Sequence, residues 1–149
     1  MSETLVLTVI GNDRPGLVEQ LATTIAANQG NWLESSMAHL AGKFAGIVRI
    51  DVPADHVDAL KAALATLDGL RVTAENAGNP ATAEGHRRLK LSLVGHDRIG
   101  IVREVSQVLA RHAVNVEELN THTASAPMSA DILFHATAEL TGAAALDAL

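Results

Sequence analysis

Apolar and polar residues alternate in two stretches of the chain that lie 84 positions apart. Their apolar positions are Leu5, Leu7 and Val9 in the first stretch, and Leu89, Leu91 and Leu93 in the second. After each stretch comes a loop flanked by glycines, and apolar residues then recur at helical spacing from Leu17 and from Ile101. Period-two alternation indicates a strand and 3.6-residue spacing a helix. Each half of the chain is therefore predicted to open with a strand, a loop and a helix.

The segments that follow the first helix predict the rest of one small domain. Residues 31–41 and 43–52 read as strands, residues 54–67 as a second helix, and residues 70–75 as a short closing strand. The order β-α-β-β-α-β predicts an α+β, ferredoxin-like fold, with helices on one face of an antiparallel sheet. The apolar positions of the third strand, and the counterparts expected 84 residues later, are Phe44, Gly46, Val48, Ile50 and Val52, and Met128, Ala130, Ile132, Phe134 and Ala136.

The first helix is expected to end at Gly30, because glycine tolerates the positive φ that often terminates a helix. The second copy has Val114 at the matching position, so its helix is expected to end by another geometry.

The repeat predicts two domains, residues 1–76 and 88–149, joined by a linker at residues 77–87 that is rich in Gly, Pro and small polar residues. The second domain stops inside its expected second helix, residues 141–149, and lacks a closing strand. Truncation of the chain is the favoured interpretation. Pairing with a strand from another chain is the alternative, because an unpaired sheet edge exposes backbone groups.

Charge and composition exclude several functions. Eleven Lys and Arg stand against 17 Asp and Glu, which gives a net charge of −6, and the chain has one Trp, two Phe and no Tyr. Direct binding of nucleic acid is not expected, since it needs cationic surface and stacking rings. Cysteine is absent, and the first apolar run is too short for a signal segment or a membrane span. A cytoplasmic protein without membrane association is expected.

The loops GNDRPG (residues 11–16) and GHDRIG (residues 95–100) are the main candidates for chemistry. Asp13 or Arg14 stands where a helix N-cap is expected, and Pro15 suits a first helical turn. Asp13 and Asp97 could therefore be capping residues only. Alternatively, free N–H groups at the helix start could receive the anionic end of a small ligand, while amide oxygens of Asn12, Asn31 and Asn115 accept from its ammonium group.

Catalytic and cofactor motifs are missing. Neither loop has the Lys and hydroxyl of a phosphate-binding loop, and there is no GxGxxG, no HExxH and no nucleophile elbow. Only His96, His122 and His135 could come together by chance on neighbouring elements. No metal, no cofactor and no catalytic residue are expected, so the chain is not predicted to be an enzyme.

The two copies resemble ACT domains, in which a strand leads through a G-x-D-R-x-G loop into a helix. Two such domains without a catalytic domain are most similar to the glycine cleavage system transcriptional repressor family. The resemblance implies ligand-binding residues in both loops and at a shared downstream Asn. They are Asn12, Asp13, Arg14, Pro15, Gly16, Leu17 and Asn31, and His96, Asp97, Arg98, Ile99, Gly100, Ile101 and Asn115. Because Pro15 is matched by Ile99, and Asn12 by His96, the two sites are expected to be unequal: either they differ in affinity, or one of them is purely structural.

The same resemblance implies a regulator that senses a small amino acid, with glycine favoured. Such a regulator represses the glycine cleavage system through a partner activator protein and does not bind DNA itself. A homodimer is expected. Two alternatives stay open: the regulatory ACT portion of a larger metabolic enzyme, and a purely structural dimerisation module.

Overall fold

A computed structural model describes residues 1–78 and 86–143 of the 149-residue chain. Contacts divide the chain into two compact units, Met1–Asn79 (unit 1) and Pro80–Leu149 (unit 2). Both units combine an antiparallel sheet with helices, which confirms the α+β class and the tandem ferredoxin-like organisation predicted from the repeat.

Unit 1 contains all six elements of the β-α-β-β-α-β order. Its strands are β1 (Ser2–Asn12), β2 (Asn31–Leu40), β3 (Lys43–Pro53) and β4 (Leu70–Asn76), and its helices are α1 (Leu17–Ala27) and α2 (Val57–Ala65). A 3₁₀ turn, Ala54–His56, leads into α2. The sheet has the order β2-β3-β1-β4, and all neighbouring strands are antiparallel. Strand β1 is therefore central and ends at the loop that leads into α1.

One face of this sheet forms the core with both helices. The core positions have at most 7 % of their surface exposed. They are Leu5, Leu7, Val9, Val48, Ile50 and Val52 on β1 and β3, Leu17, Leu21 and Ile25 on α1, Val57, Leu60 and Leu64 on α2, and Leu70 on β4. Burial of each such side chain contributes about 1.5–3 kcal/mol. The alternation read from the sequence is thus the alternation between this core and the opposite, helix-free face.

Unit 2 shows four elements in its described part. They are β5 (His86–His96), α3 (Ile101–Arg111), β6 (Asn115–Ser125) and β7 (Ile132–Ala143), with the sheet order β5-β7-β6. Strand β5 begins inside the range predicted as linker. Residues 141–143, predicted to start a helix, instead continue β7, because they pair with residues 86–88 of β5. The rest of that predicted helix, residues 144–149, lies outside the described residues.

The strand pairing corrects the alignment of the two copies. Gly11 of β1 lies opposite Phe44, whereas the matching Gly95 lies opposite Phe134, so the offset is 84 residues in one strand and 90 in the other. Six residues are inserted between β6 and β7, and Met128 lies in that connection with a positive φ of 58°. The true counterparts of the third strand's apolar positions are Phe134, Ala136, Ala138, Leu140 and Gly142. A slip of an even number of residues keeps every side chain on its face, so alternation alone could not reveal it.

Both first helices of the units end in the same way, contrary to the prediction. The residue with positive φ is Gln29 (63°) in unit 1 and Ala113 (55°) in unit 2, one position before Gly30 and Val114. The N–H groups of Gly30 and Val114 then bond to the carbonyl five residues back, at 2.8 and 2.9 Å. A Cβ on Gly30 would lie 2.6 Å from Cγ2 of Ile25, so this glycine permits close packing rather than a left-handed turn.

Candidate ligand-binding site

Each helix start is formed by a glycine. Gly16 and Gly100 are the N-cap residues of α1 and α3, with φ of 90° in both, and no side chain caps either helix. The prediction that Asp13 or Arg14 caps the helix, with Pro15 in its first turn, is wrong. The reason is that a left-handed residue turns the chain into the helix, and glycine adopts that conformation without strain. Asp97 likewise does not cap α3.

The two aspartates instead mark where the loop is tied to the adjacent hairpin. The N–H of Asp13 donates to the carbonyl of Gly42, and the N–H of Asp97 donates to that of Ile132, both at 3.0 Å. Oδ2 of Asp13 lies 3.7 Å from Nδ1 of His39, and its side chain is 43 % exposed. The Asp13 carboxylate is thus available to solvent and to a ligand.

In unit 1 the loop is also braced against the turn between α2 and β4. Nη2 of Arg14 donates to the Asp68 carbonyl at 2.7 Å, and Nε2 of Gln20 donates to the same oxygen at 3.0 Å. A Cβ on Gly11 would lie 2.2 Å from the carbonyl oxygen of Gly69. The first glycine of GNDRPG therefore allows this turn to approach β1, and the arginine holds it there.

In unit 2 the corresponding arginine has a different partner. Arg98 contacts the carboxylate of Glu104, the residue that matches Gln20, and both side chains are more than half exposed. The hydrogen bond and charge of Arg98 lower the pKa of Glu104, and Glu104 in turn raises the pKa of Arg98. A Cβ on Gly95 would meet only Cδ1 of Ile101, at 3.7 Å, among the described neighbours. The two loops share a backbone conformation but not their bracing.

The remaining loop residues differ in exposure. Asn12 ends β1, and its Oδ1 accepts a hydrogen bond from Lys43, whereas His96 ends β5 and is exposed. Pro15 and its match Ile99 are exposed, and Leu17 is buried in the core. Ile101, the match of Leu17, is only half-buried.

The downstream asparagines lie far from the loops of their own units. Asn31 pairs through Asp51 with Thr4, eight residues before Asn12 on β1. Asn115 pairs through Thr141 with Arg88 of β5, which lies eight residues before the matching loop. Eight strand residues span about 26 Å. Asn31 therefore cannot touch the same small molecule as the loop of its own unit, and the same holds for Asn115.

The helix start is suited to a small zwitterion. The N–H groups of Leu17, Val18 and Glu19 precede the first intrahelical bond, from Gln20 to Gly16 at 2.9 Å, and can receive a carboxylate. The carboxylate of Asp13 can accept from an ammonium group, whereas the amide oxygen of Asn12 already accepts from Lys43. The one pattern that points to Gly16, rather than Asp13, as the start of the helix is the second glycine, which stands at the same position in both loops.

Histidines form one pair on the helix-free face of unit 2. The rings of His122 and His135 stack with centroids 4.7 Å apart. In residues 1–78 and 86–143, no group of three or more His, Asp or Glu side chains is placed to hold a metal ion. Across the same residues, no helix is long and apolar enough to cross a membrane.

Comparisons with known proteins agree with the fold. Residues 3–73 match the model of the ACT domain family. The match shows that unit 1 is an ACT domain. The whole chain is similar to a crystal structure of an unknown protein from Galdieria sulphuraria, with 30 % identity over 96 % of this chain and 84 % of that chain, at a TM-score of 0.82.

A second crystal structure extends the similarity to 99 % of this chain and 84 % of the other, at a TM-score of 0.71 and 16 % identity. That protein is provisionally named a glycine cleavage system transcriptional repressor. At this identity the likeness shows a shared two-unit fold. No curated protein matches the chain.

Proposed function

We propose that this ACT-domain protein is an amino-acid-sensing transcriptional regulator that represses the glycine cleavage system through a partner activator protein. The observation that carries the proposal is the two-unit ACT fold, shared over almost the whole chain with a protein provisionally named such a repressor. The proposal includes a cytoplasmic homodimer without enzymatic activity, and the surplus of acidic residues supports a regulator that does not grip DNA itself.

Glycine is the proposed ligand, held at the helix starts of α1 and α3. Its carboxylate would bind the free N–H groups that follow Gly16, or those of Val102 and Arg103 after Gly100, because the Ile101 N–H already donates to the Arg98 carbonyl at 3.4 Å. Its ammonium group would face Asp13 or Asp97. Asn31 and Asn115 would take part only if another unit or another chain brings them to a loop. Unit 1 is expected to bind more tightly, because the Arg14 bracing holds its loop in place before the ligand arrives.

Calorimetric titration with glycine, alanine and serine tests the sensing role. Gly16→Ala strains the helix start and should weaken glycine binding about tenfold or more. Gly78→Ala is the control, because Gly78 also has open space around its missing Cβ, and it follows β4 at the end of the sheet opposite the loop. Absence of heat from all three amino acids with the folded protein would contradict amino-acid sensing, as would equal weakening in both variants.

An electrophoretic mobility shift assay with the operator DNA of the glycine cleavage operon tests whether the chain acts through a partner protein. The chain alone should leave the DNA unshifted, and it should alter the shift produced by the activator protein in a glycine-dependent way. A ligand can only act as a signal if it binds two states with different affinity. A shift by the chain alone would refute the indirect mechanism.

One observation favours the structural alternative as a second candidate. In the described part of unit 2, β5 pairs with β7 alone, whereas the matching β1 also pairs with β4. An edge of this kind can pair with a strand of another chain. Sedimentation velocity across micromolar concentrations tests it: a monomer throughout would contradict both this candidate and the proposed homodimer.

A further inference from the structure

The helix-free side of unit 1 contains a recess at the loop end of the sheet. Its lining is Ile10, Gly11, Asn12, Lys43, Gly69, Leu70 and Arg71, and its volume is about 460 Å³. Ile10 alternates with the buried Val9 and so belongs to the face opposite the helices. The recess adjoins the loop through Asn12 but lies on the other side of the sheet from the start of α1.

The strand pairing places two cations on opposite walls of this recess. Lys43 of β3 lies opposite Asn12, and Arg71 of β4 lies opposite Ile10, so the two cations flank the end of β1. Strands next to each other are about 4.8 Å apart. With β1 between them and an offset of two residues, the two Cα atoms are about 12 Å apart, a span that both long side chains can close around a ligand.

Neither cation is neutralised in the described part of the chain. Among the described residues, Lys43 donates one of its three ammonium N–H groups to the neutral amide oxygen of Asn12 and makes no other bond. Arg71 makes no ion pair or hydrogen bond among residues 1–78 and 86–143, and the carboxylate of Asp13 lies 3.7 Å from Nδ1 of His39. In a chain of net charge −6, two uncompensated cations around one recess mark a local site for negative charge.

The size and chemistry of the recess define the ligand class. Its volume falls in the range of about 300–1,000 Å³ typical of small-molecule sites, well above what glycine needs. An arginine fork bonds carboxylate or phosphate oxygens in pairs, and a lysine adds a point charge. We propose that this recess binds a small anion bearing two negative groups, carboxylate or phosphate, between Lys43 and Arg71.

The described part of unit 2 does not repeat this site. The corrected alignment puts Leu133 at the position of Lys43, opposite His96. No strand that matches β4, and so no counterpart of Arg71, is present among residues 86–143. The expected stoichiometry is therefore one anion per chain, and the site does not depend on amino-acid sensing at the helix starts.

Calorimetric titration of the full chain with pyrophosphate and with succinate tests the proposal, and the two arms distinguish phosphate from carboxylate ligands. Binding of either should show a stoichiometry of one and should weaken as salt is raised. Arg71→Gln and Lys43→Gln should each weaken it about 10- to 100-fold, as expected for loss of a charged hydrogen bond. Arg49→Gln is the matched control, because Arg49 is on the same face but paired with Glu34 at 2.6 Å.

Succinamide, which has the shape of succinate without its charge, should not bind. Amide shifts in NMR spectra should fall on Ile10, Gly11 and Arg71, and a parallel glycine titration reports separately on Gly16 and Leu17. No binding of either anion by the folded wild-type chain overturns the proposal. Equal weakening by Arg49→Gln, or binding of succinamide, overturns it as well, whatever the outcome with glycine.

Discussion

Gly11 and Gly95 occupy matching positions in the two loops but have different surroundings. Substituting each of them by alanine therefore tests whether the α2–β4 turn packs closely against β1. A methyl group on Gly11 would lie 2.2 Å from the Gly69 carbonyl oxygen and 3.1 Å from Cδ2 of Leu70. The first distance requires the backbone to move. The same methyl on Gly95 would meet one flexible side-chain atom of Ile101 at 3.7 Å, an ordinary contact.

The magnitudes follow from this difference. Forcing one carbon into a well-packed site costs about 1–3 kcal/mol. Replacing glycine by alanine within a strand otherwise gains about 0.5–1 kcal/mol, because the unfolded chain loses freedom. Gly11→Ala should therefore destabilise unit 1 by about 1–2 kcal/mol, while Gly95→Ala should be neutral or slightly stabilising for unit 2.

Urea unfolding measures both effects. Trp32 is the single tryptophan of the chain and packs partly buried against the core of unit 1, so its fluorescence reports on unit 1. Circular dichroism follows both units together. With a urea slope of about 1–2 kcal/mol per molar, Gly11→Ala should lower the fluorescence midpoint by about 1 M. An unchanged midpoint for Gly11→Ala, or an equal loss of stability for Gly95→Ala, would refute the close approach of the α2–β4 turn to β1.

Two further predictions concern the core and the second loop. Leu21→Ala removes a fully buried side chain and should lower the free energy of unfolding of unit 1, measured with urea, by about 2–5 kcal/mol. Val105→Ala changes the matching, half-buried position of unit 2 and should lower the free energy of unfolding of that unit clearly less. Equal losses would contradict the difference in packing. The pKa of Glu104, measured by NMR titration, should lie below its usual range and return to it in Arg98→Ala. Because the pKa of Glu104 is lower in the folded state than in the unfolded state, the Arg98–Glu104 pair stabilises unit 2 at pH values above the unfolded pKa. This stabilisation is lost as the pH falls through the folded pKa. An unchanged pKa of Glu104 in Arg98→Ala would contradict the contact.

The two units differ most in how their sheets are covered. In unit 1 both helices pack on the sheet, and Leu5, Leu7 and Val9 have no exposed surface. In the described part of unit 2 one helix packs on the sheet, and the matching leucines of β5 are half-buried. The two copies of the GxDRxG motif therefore lie in differently packed units. This difference is a physical reason to expect that the two proposed sites bind a ligand with different affinity.

Some features followed from local sequence patterns because they depend on local rules. Alternation along β1 and helical spacing from Leu17 identified the elements, since period two and period 3.6 determine which residues share a face. The repeat identified two units of one fold. The family resemblance, resting on the two loops, was confirmed over residues 3–73.

Other features depended on neighbours that no local pattern names. The alternation of β7 was read six residues out of register, because an even slip preserves the faces and only the pairing with β5 detects it. Asp13 was expected to cap α1, but the backbone conformation of Gly16 gives that role to the glycine. From the sequence, the asparagines were expected to lie near the loops, yet the pairing of β2 with β3 and of β6 with β7 places them at the opposite end of each sheet.

The sequence by itself thus determined the number of units, the type and order of most elements, and the loops at which a ligand is expected. Only the tertiary structure decided which residues come together: Arg14 meets the Asp68 carbonyl, Gly11 lies beside Gly69, and Lys43 and Arg71 line one recess on either side of β1. The physical reason is that side-chain periodicity is a property of one segment. The placement of residues 28 to 58 positions apart depends instead on strand order, register and turns, which are set when the segments pack together.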